Sequence, residues 1–183
     1  MMKDLYDRYL KNPNICTDTR KISTGCLFFA LKGPHFNGNE FAKEALKKGA
    51  SYAVVDDELY AIDDRYILVK DALTTLQKLA RFHRKELKCK VLGITGSNGK
   101  TTSKELCLQV LKKKHKTLAT SGNLNNHIGV PLSILSIGTD TEIAIIEMGA
   151  NHLNEIEFLC GIAQPDYGVI TNVGKAHLEG FGS

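Results

Sequence analysis

The chain is short of several things that would point elsewhere. It has no C-x-x-C pair: its five cysteines, Cys16, Cys26, Cys89, Cys107 and Cys160, are scattered and odd in number. That spacing argues against a zinc site or a disulfide framework and for reduced thiols in a cytoplasmic protein. No apolar run approaches the roughly 18 residues of a membrane span, and the N-terminus Met1-Met-Lys-Asp-Leu-Tyr-Asp lacks the apolar core of a signal peptide. Strong charge of either sign is also missing. The 24 basic and 20 acidic residues leave +4, and no basic block suggests nucleic acid. The densest run, Lys112-Lys-Lys-His-Lys116, reads as the close of a helix, where cations favour the dipole. No repeat or low-complexity tract is visible. With 183 residues and ordinary apolar content, one large or two small globular domains are expected.

What is present is organised around Val91-Leu-Gly-Ile-Thr-Gly-Ser-Asn-Gly-Lys-Thr-Thr102. A buried strand runs into a glycine turn, and Lys-Thr-Thr opens a helix to about residue 113. Gly96 and Gly99 let the backbone turn its N–H groups inward on an anion. Lys100 adds a point charge for phosphate, Thr101 a hydroxyl for Mg²⁺, and the helix aims its positive end at the same place. Ile94 stands where the longer P-loop pattern has its first glycine, so the match is to Gly96-x-x-Gly99-Lys100-Thr101. An ordinary solvated glycine turn is the alternative; the flanking strand and helix favour phosphate.

In chain order, Asp4–Lys11 is expected to be an amphipathic helix with Leu5, Tyr9 and, beside them, Tyr6 and Leu10 facing inward. Strands are expected at 26–31, 52–56 and 66–69, a loop at 32–39, and helices at 40–48 and 71–87. The boundary is placed at 87/88, with a small α/β domain at 1–87 and a second domain at 88–183. The second alternates strand and helix: strands at 90–95, 117–119, 142–147 and 167–172, helices at 101–113, 131–136 and 153–160. That alternation predicts a mostly parallel sheet with ligands bound beyond the carboxyl ends of its strands.

Three features should reach that edge. Glu142-Ile-Ala-Ile-Ile146 delivers the carboxylate of Glu147, the placement of a Walker-B-type Mg²⁺ ligand, although strand-end acids often face solvent. Tyr167–Val173 leads to His177, a metal ligand or a structural imidazole. Ser121–Pro131 carries Asn123, Asn125 and Asn126, whose amides suit a polar ligand or equally a turn and helix cap.

Four blocks together resemble the Mur ligases: Gly93–Thr102, Gly122-Asn-Leu-Asn-Asn-His-Ile-Gly-Val-Pro131, Ile146-Glu-Met-Gly-Ala-Asn-His152 and Asn172-Val-Gly-Lys-Ala-His-Leu-Glu-Gly-Phe-Gly-Ser183. Thr17-Asp-Thr-Arg20 and Leu27–Gly33 are similar to the family's UDP-substrate domain. The resemblance implies a P-loop-type central domain and an ATP- and Mg²⁺-dependent amide ligase of peptidoglycan precursor synthesis. It implies UDP-N-acetylmuramoyl-tripeptide and D-Ala-D-Ala as substrates and a monomer. By resemblance, Thr95, Gly96, Ser97, Asn98, Gly99, Lys100, Thr101 and Thr102 hold ATP. Thr101, Glu147 and His177 bind metal, and Lys100, Glu147 and His177 serve catalysis. Thr17, Asp18, Thr19 and Arg20 hold the UDP part, with Asn125 and Asn126 beside substrate and phosphates. Asn37-Gly38-Asn39 departs from the family's Asp-Gly-His, so no binding role is carried onto it. The family's carbamylated lysine, adenine-binding segment and third domain have no counterpart before Ser183, so the chain is expected to be an N-terminal portion, inactive by itself. Alternatives are another Mur or folylpolyglutamate-type ligase, or a nucleotide-binding module without chemistry.

Overall fold

The computed structural model describes residues 2–174. The chain forms two compact units, Met1–Leu79 and Ala80–Ser183. Each contains a four-stranded, all-parallel sheet.

In the first unit the strands are β1 (Ile15–Cys16), β2 (Leu27–Phe29), β5 (Tyr52–Val55) and β6 (Tyr66–Leu68), in the order β1-β2-β5-β6. β2 is buried on both faces, as its unbroken apolar run requires. Cys26, Phe28, Ala30, Ala53 and Val55 pack with Ala42, Ala45 and Leu46 of helix α2 (Ala42–Lys47). The other face takes helix α1 (Met2–Lys11), whose Arg8 guanidinium lies 4.2 Å over the Tyr52 ring. Leu5, Tyr6 and Tyr9 of α1 are buried, but Leu10 is exposed, because the stripe 5, 6, 9 turns residue 10 outward.

The segment expected to be a loop at 32–39 contains a small antiparallel hairpin, β3 (Lys32–Gly33) with β4 (Phe36–Asn37). Its follow-on is structural. The Asn39 side chain is fully buried, donates to Asn37 Oδ1 and Asp56 Oδ1 at 2.8 Å each, and accepts from the Asp56 N–H at 3.1 Å. Asp56 also takes the Ala72 N–H at 3.1 Å and the Lys32 amino group at 2.8 Å. Burial pushes the Asp56 carboxyl up, but these partners hold it below its ordinary value. One carboxylate thus ties together the hairpin, the end of β5 and the start of helix α3 (Ala72–Glu86).

The units divide between Leu79 and Ala80, inside α3, eight residues before the expected 87/88. The reason is the buried face of α3, which extends past Leu76, Leu79 and Ala80 to His83 and Arg84, 4% and 9% exposed. His83 Nε2 donates to Ile137 O at 2.9 Å. Arg84 donates to Ala163 O, Gln164 O and Asp166 Oδ2, each at 2.9 Å, and so caps the C-terminal end of helix α6 (Glu155–Ala163). All these partners belong to the second unit.

That unit adds β7 (Lys90–Thr95), α4 (Lys100–Leu111), β8 (Thr117–Ala119), α5 (Gly129–Leu135), β9 (Ile143–Glu147) and β10 (Tyr167–Ile170). Its order is β10-β7-β9-β8. Helix α4 ends at Leu111, so Lys112–Lys116 forms the turn after the helix rather than its last turn. Connection β7–α4–β8 runs one way across the sheet; β8–α5–β9 and β9–α6–β10 run the other. Right-handed crossovers therefore set α4 on one face and α5 with α6 on the opposite face. The crevice between the carboxyl ends of β7 and β9, where the winding reverses, is the topological switch point.

Candidate active site

The crevice brings the carboxyl ends of these two strands side by side. Register pairs Ile94 with Glu147, so the glycine loop leaving β7 faces the carboxylate ending β9. The loop turns through Gly96 at φ +136° and Gly99 at φ +77°, where a side chain is strained. At Gly96 there is no room either: a Cβ would collide with Thr171 Oγ1. Gly99 is the N-cap of α4, and Lys100 and Thr101 open the helix.

Lys100 folds back, its Nζ donating to Gly96 O at 2.6 Å and Ser97 O at 3.3 Å. The amino group is held at the mouth of its own loop. The Thr101 hydroxyl donates to Glu147 Oε1 at 3.3 Å, and Asn125 Nδ2 donates to the same oxygen at 2.9 Å. Glu147 is 2% exposed, and its other oxygen, Oε2, is buried without a hydrogen-bond partner. An orphaned carboxylate oxygen beside a helix-opening threonine and a phosphate-type loop fits a divalent cation. Among the described residues no three His, Cys, Asp or Glu side chains converge on a metal. The donor set is thus one carboxylate and one hydroxyl, which suits Mg²⁺ completing its shell with phosphate oxygens and water.

The loop is clamped from the strand beyond it. Asn172 Oδ1 accepts the Asn98 N–H at 3.0 Å, and Asn172 O accepts the Ser97 N–H at 3.2 Å. Thr171 Oγ1 donates to Asn98 O at 2.6 Å, and the Gly174 N–H donates to Ser97 Oγ at 2.9 Å. Neither the role of Thr171 nor that of Asn172 could be read from spacing. Thr95 ends β7 and accepts the Thr171 N–H at 2.9 Å; Thr102 is exposed on the first turn of α4.

A cavity of about 400 Å³ adjoins the loop, lined by Lys100, Asn125, Asn126, Asn151, His152 and Phe158 among others. Asn126 does part of the structural work the sequence left open: its Oδ1 accepts the Ile128 and Gly129 N–H groups at 3.0 and 2.9 Å, capping the start of α5. Glu155 Oε2 accepts the N–H groups of Asn151 and His152 at 2.6 and 3.1 Å, which fixes the cavity wall and lowers the Glu155 carboxyl below its usual value. His177 lies outside the described residues.

In the first unit, Thr17, Asp18, Thr19 and Arg20 line a separate cavity of about 470 Å³ with Phe28, Phe36, Phe41 and Glu44. Asp18 caps the short 3₁₀ turn Thr19–Lys21 through the Arg20 N–H and binds the Arg20 guanidinium at 2.7 Å. The Arg20 side chain and backbone hold the Asp18 carboxyl far below its usual range. Phe36 and Phe41 stack with ring centres 5.3 Å apart.

The fold and this loop define a P-loop-type α/β unit preceded by a smaller parallel α/β unit. Two family models match: "Mur ligase family, catalytic domain" over residues 13–84 and "Mur ligase middle domain" over residues 94–183. The chain belongs to the Mur ligase family. It is 43% identical over 171 residues to the UDP-N-acetylmuramoyl-tripeptide–D-alanyl-D-alanine ligase of Bacillus subtilis, covering 92% of this chain and 37% of that one. The Escherichia coli enzyme of the same name is 42% identical over 169 residues, with the same coverage of each chain. The MurF ligase of Thermotoga maritima, solved in complex with ADP, superposes with a TM-score of 0.84 at 40% identity, covering 93% of this chain and 40% of that one. MurF from Acinetobacter baumannii superposes at 0.85 with 38% identity, covering 93% and 38%. The chain therefore spans under two fifths of the length of the curated relatives cited. No described helix is long and apolar enough to cross a membrane.

Proposed function

We propose that this chain is the substrate- and phosphate-binding part of an ATP-dependent ligase that joins D-Ala-D-Ala to UDP-N-acetylmuramoyl-tripeptide. The reading includes a monomer working in the cytoplasm, with residues 1–87 as the UDP-substrate domain and 88–183 as the start of the ATP-binding domain. The observation that carries it is the buried, unpartnered Glu147 Oε2 at the switch point, one strand from the glycine loop.

The chemical need is plain. A carboxylate is a poor electrophile, and its conversion to an acyl phosphate brings two anions together. In this reading the Gly96–Thr102 loop cradles the nucleotide phosphates, with Thr95 at its base. Lys100 leaves the Gly96 and Ser97 carbonyls to meet the β/γ-phosphates. Thr101 and Glu147 hold Mg²⁺, which supplies charge neutralisation when bound. His177 holds a second Mg²⁺. Asn125 orients Glu147 and, with Asn126, borders the substrate. Arg20 exchanges Asp18 for the diphosphate of the UDP part, beside Thr17 and Thr19. The amine of D-Ala-D-Ala then attacks the acyl phosphate, and the tetrahedral adduct collapses to an amide and phosphate.

The test joins residues 1–183 to the remaining segment of the B. subtilis relative and follows phosphate release with ATP, Mg²⁺, UDP-muramoyl-tripeptide and D-Ala-D-Ala. Release that needs both substrates and is lost in Lys100→Ala supports the reading. Release with another amine or UDP-peptide keeps the family and changes the step. A folded chimera that binds ATP yet releases nothing overturns it.

A further inference from the structure

Helix α4 buries a lysine that the chemistry above does not use. Lys104 is 1% exposed, one turn beyond the Lys100-Thr101 pair, on the side of α4 that faces the sheet. Its Nζ donates to Thr120 O at 2.8 Å, and its ion-pair partner, Glu105 Oε1 at 3.0 Å, is half exposed. Leucine or methionine would fill the same volume without the cost of desolvating an ammonium head. Exposed Leu106 and Val110 show that α4 places apolar groups in solvent while lysine takes the buried position.

The partner explains the placement. Thr120 follows β8 directly and is 2% exposed. Its N–H donates to Ile145 O at 2.9 Å, and its Oγ1 accepts the Glu147 N–H at 3.0 Å. A continuous path therefore runs from Lys104 Nζ through Thr120 to the backbone of Glu147. From the other side, Asn125 and Thr101 engage Oε1 of the same carboxylate, leaving Oε2 bare. With its backbone held and one oxygen occupied, the carboxylate presents the other in one direction.

We propose that Lys104 is a positioning residue: it pins Thr120 so that the Thr120 hydroxyl fixes Glu147, aiming the bare carboxylate oxygen at a divalent cation. The proposal rests on the metal reading of Glu147. Removing groups that orient a metal ligand weakens binding by about 10- to 100-fold. The experiment measures Mn²⁺ affinity by electron paramagnetic resonance on the 183-residue chain with ADP, alongside thermal unfolding without metal. The variants are Lys104→Met, Thr120→Val, Thr120→Ser, the double variant Lys104→Met/Thr120→Val, and Glu147→Gln.

Lys104→Met and Thr120→Val should each weaken Mn²⁺ by about tenfold. The double variant should lose little more than either, because both cut one path. Thr120→Ser, which keeps the hydroxyl, should bind like the parent chain. A Lys104→Met chain that binds Mn²⁺ within about twofold of the parent, or losses that multiply in the double variant, overturn the proposal. If Lys104→Met fails to fold, the Thr120 pair decides: loss in Val with retention in Ser supports the path, and equal affinities overturn it. A parent chain that takes no Mn²⁺, or a Glu147→Gln chain that still takes it, overturns the metal reading itself, and the Lys104 proposal with it.

Discussion

Both units are four-stranded parallel sheets, yet their strands are laid down differently. In the first, the order β1-β2-β5-β6 follows the sequence, so each connection moves the same way. In the second, β10-β7-β9-β8 reverses direction, so the helices after neighbouring strands β7 and β9 leave on opposite faces. A reversal opens a crevice at the sheet edge; a monotonic order closes it. The reversed sheet puts its loop, carboxylate and amides at that crevice. The monotonic sheet binds, in our reading, away from any crevice, in a cavity built by the 3₁₀ turn Thr19–Lys21 and by Phe36 and Phe41 around the β3–β4 hairpin.

The sharpest break of this comparison is Gly96→Val. It adds a β-branched side chain at φ +136° where Thr171 leaves no room. Backbone strain and overpacking together should weaken ADP binding by about 100-fold. Isothermal titration on the chain reads this, and the unfolding of the first unit should not move. Next is Arg84→Met, which strips the cap from α6 and leaves Asp166 without its buried partner. The second unit should lose about 3 kcal/mol, seen by hydrogen exchange as lost protection in α6 and β10 but not in β2. The converse is Asp56→Asn, which should cost the first unit about 2 kcal/mol and leave β7 and β9 protected. Equal loosening of both units by either substitution would mean that the two sheets unfold as one.

The smallest effect is on pH. Burial lowers the His83 pKa below its ordinary 6.5, so the unfolded chain binds the proton first. Stability from neutral His83 is complete above that value and falls as pH drops below it, in the second unit. Asp56 and Asp166, both held below 3.8, contribute above that value and lose it as pH falls through their lowered pKa. Denaturant titrations should show a shallow decline beginning below about pH 6.5 that His83→Gln removes, then a steeper acid loss that it leaves in place.

Much of this is legible in the amino-acid sequence. Strand β7, β8 and the order of elements follow from apolar runs and glycine punctuation, which are local signals. The hairpin at 32–37 escaped because two-residue strands have no periodicity to detect. Lys104 and Arg84 escaped for another reason. A buried lysine or arginine looks like a solvated face until its carbonyl partner, 16 or 79 residues away, is known. Asn126 stands between the two cases: its amide reads equally as a ligand contact or a helix cap, and the turn it sits in makes it a cap. The loop itself was readable because its chemistry and its conformation demand the same glycines.

The clamp between the glycine loop and residues 171–174 has an evolutionary consequence. Ser97 and Asn98 are held through atoms of Thr171, Asn172 and Gly174, in both directions and at both side chains and backbone. Neither segment can drift alone: a change at 172 alters what is tolerated at 98, and a change at 97 what is tolerated at 174. Two stretches more than 70 residues apart in the chain are in this sense one heritable trait, and recombination between related genes with a crossover point between them would part residues that had adapted to each other.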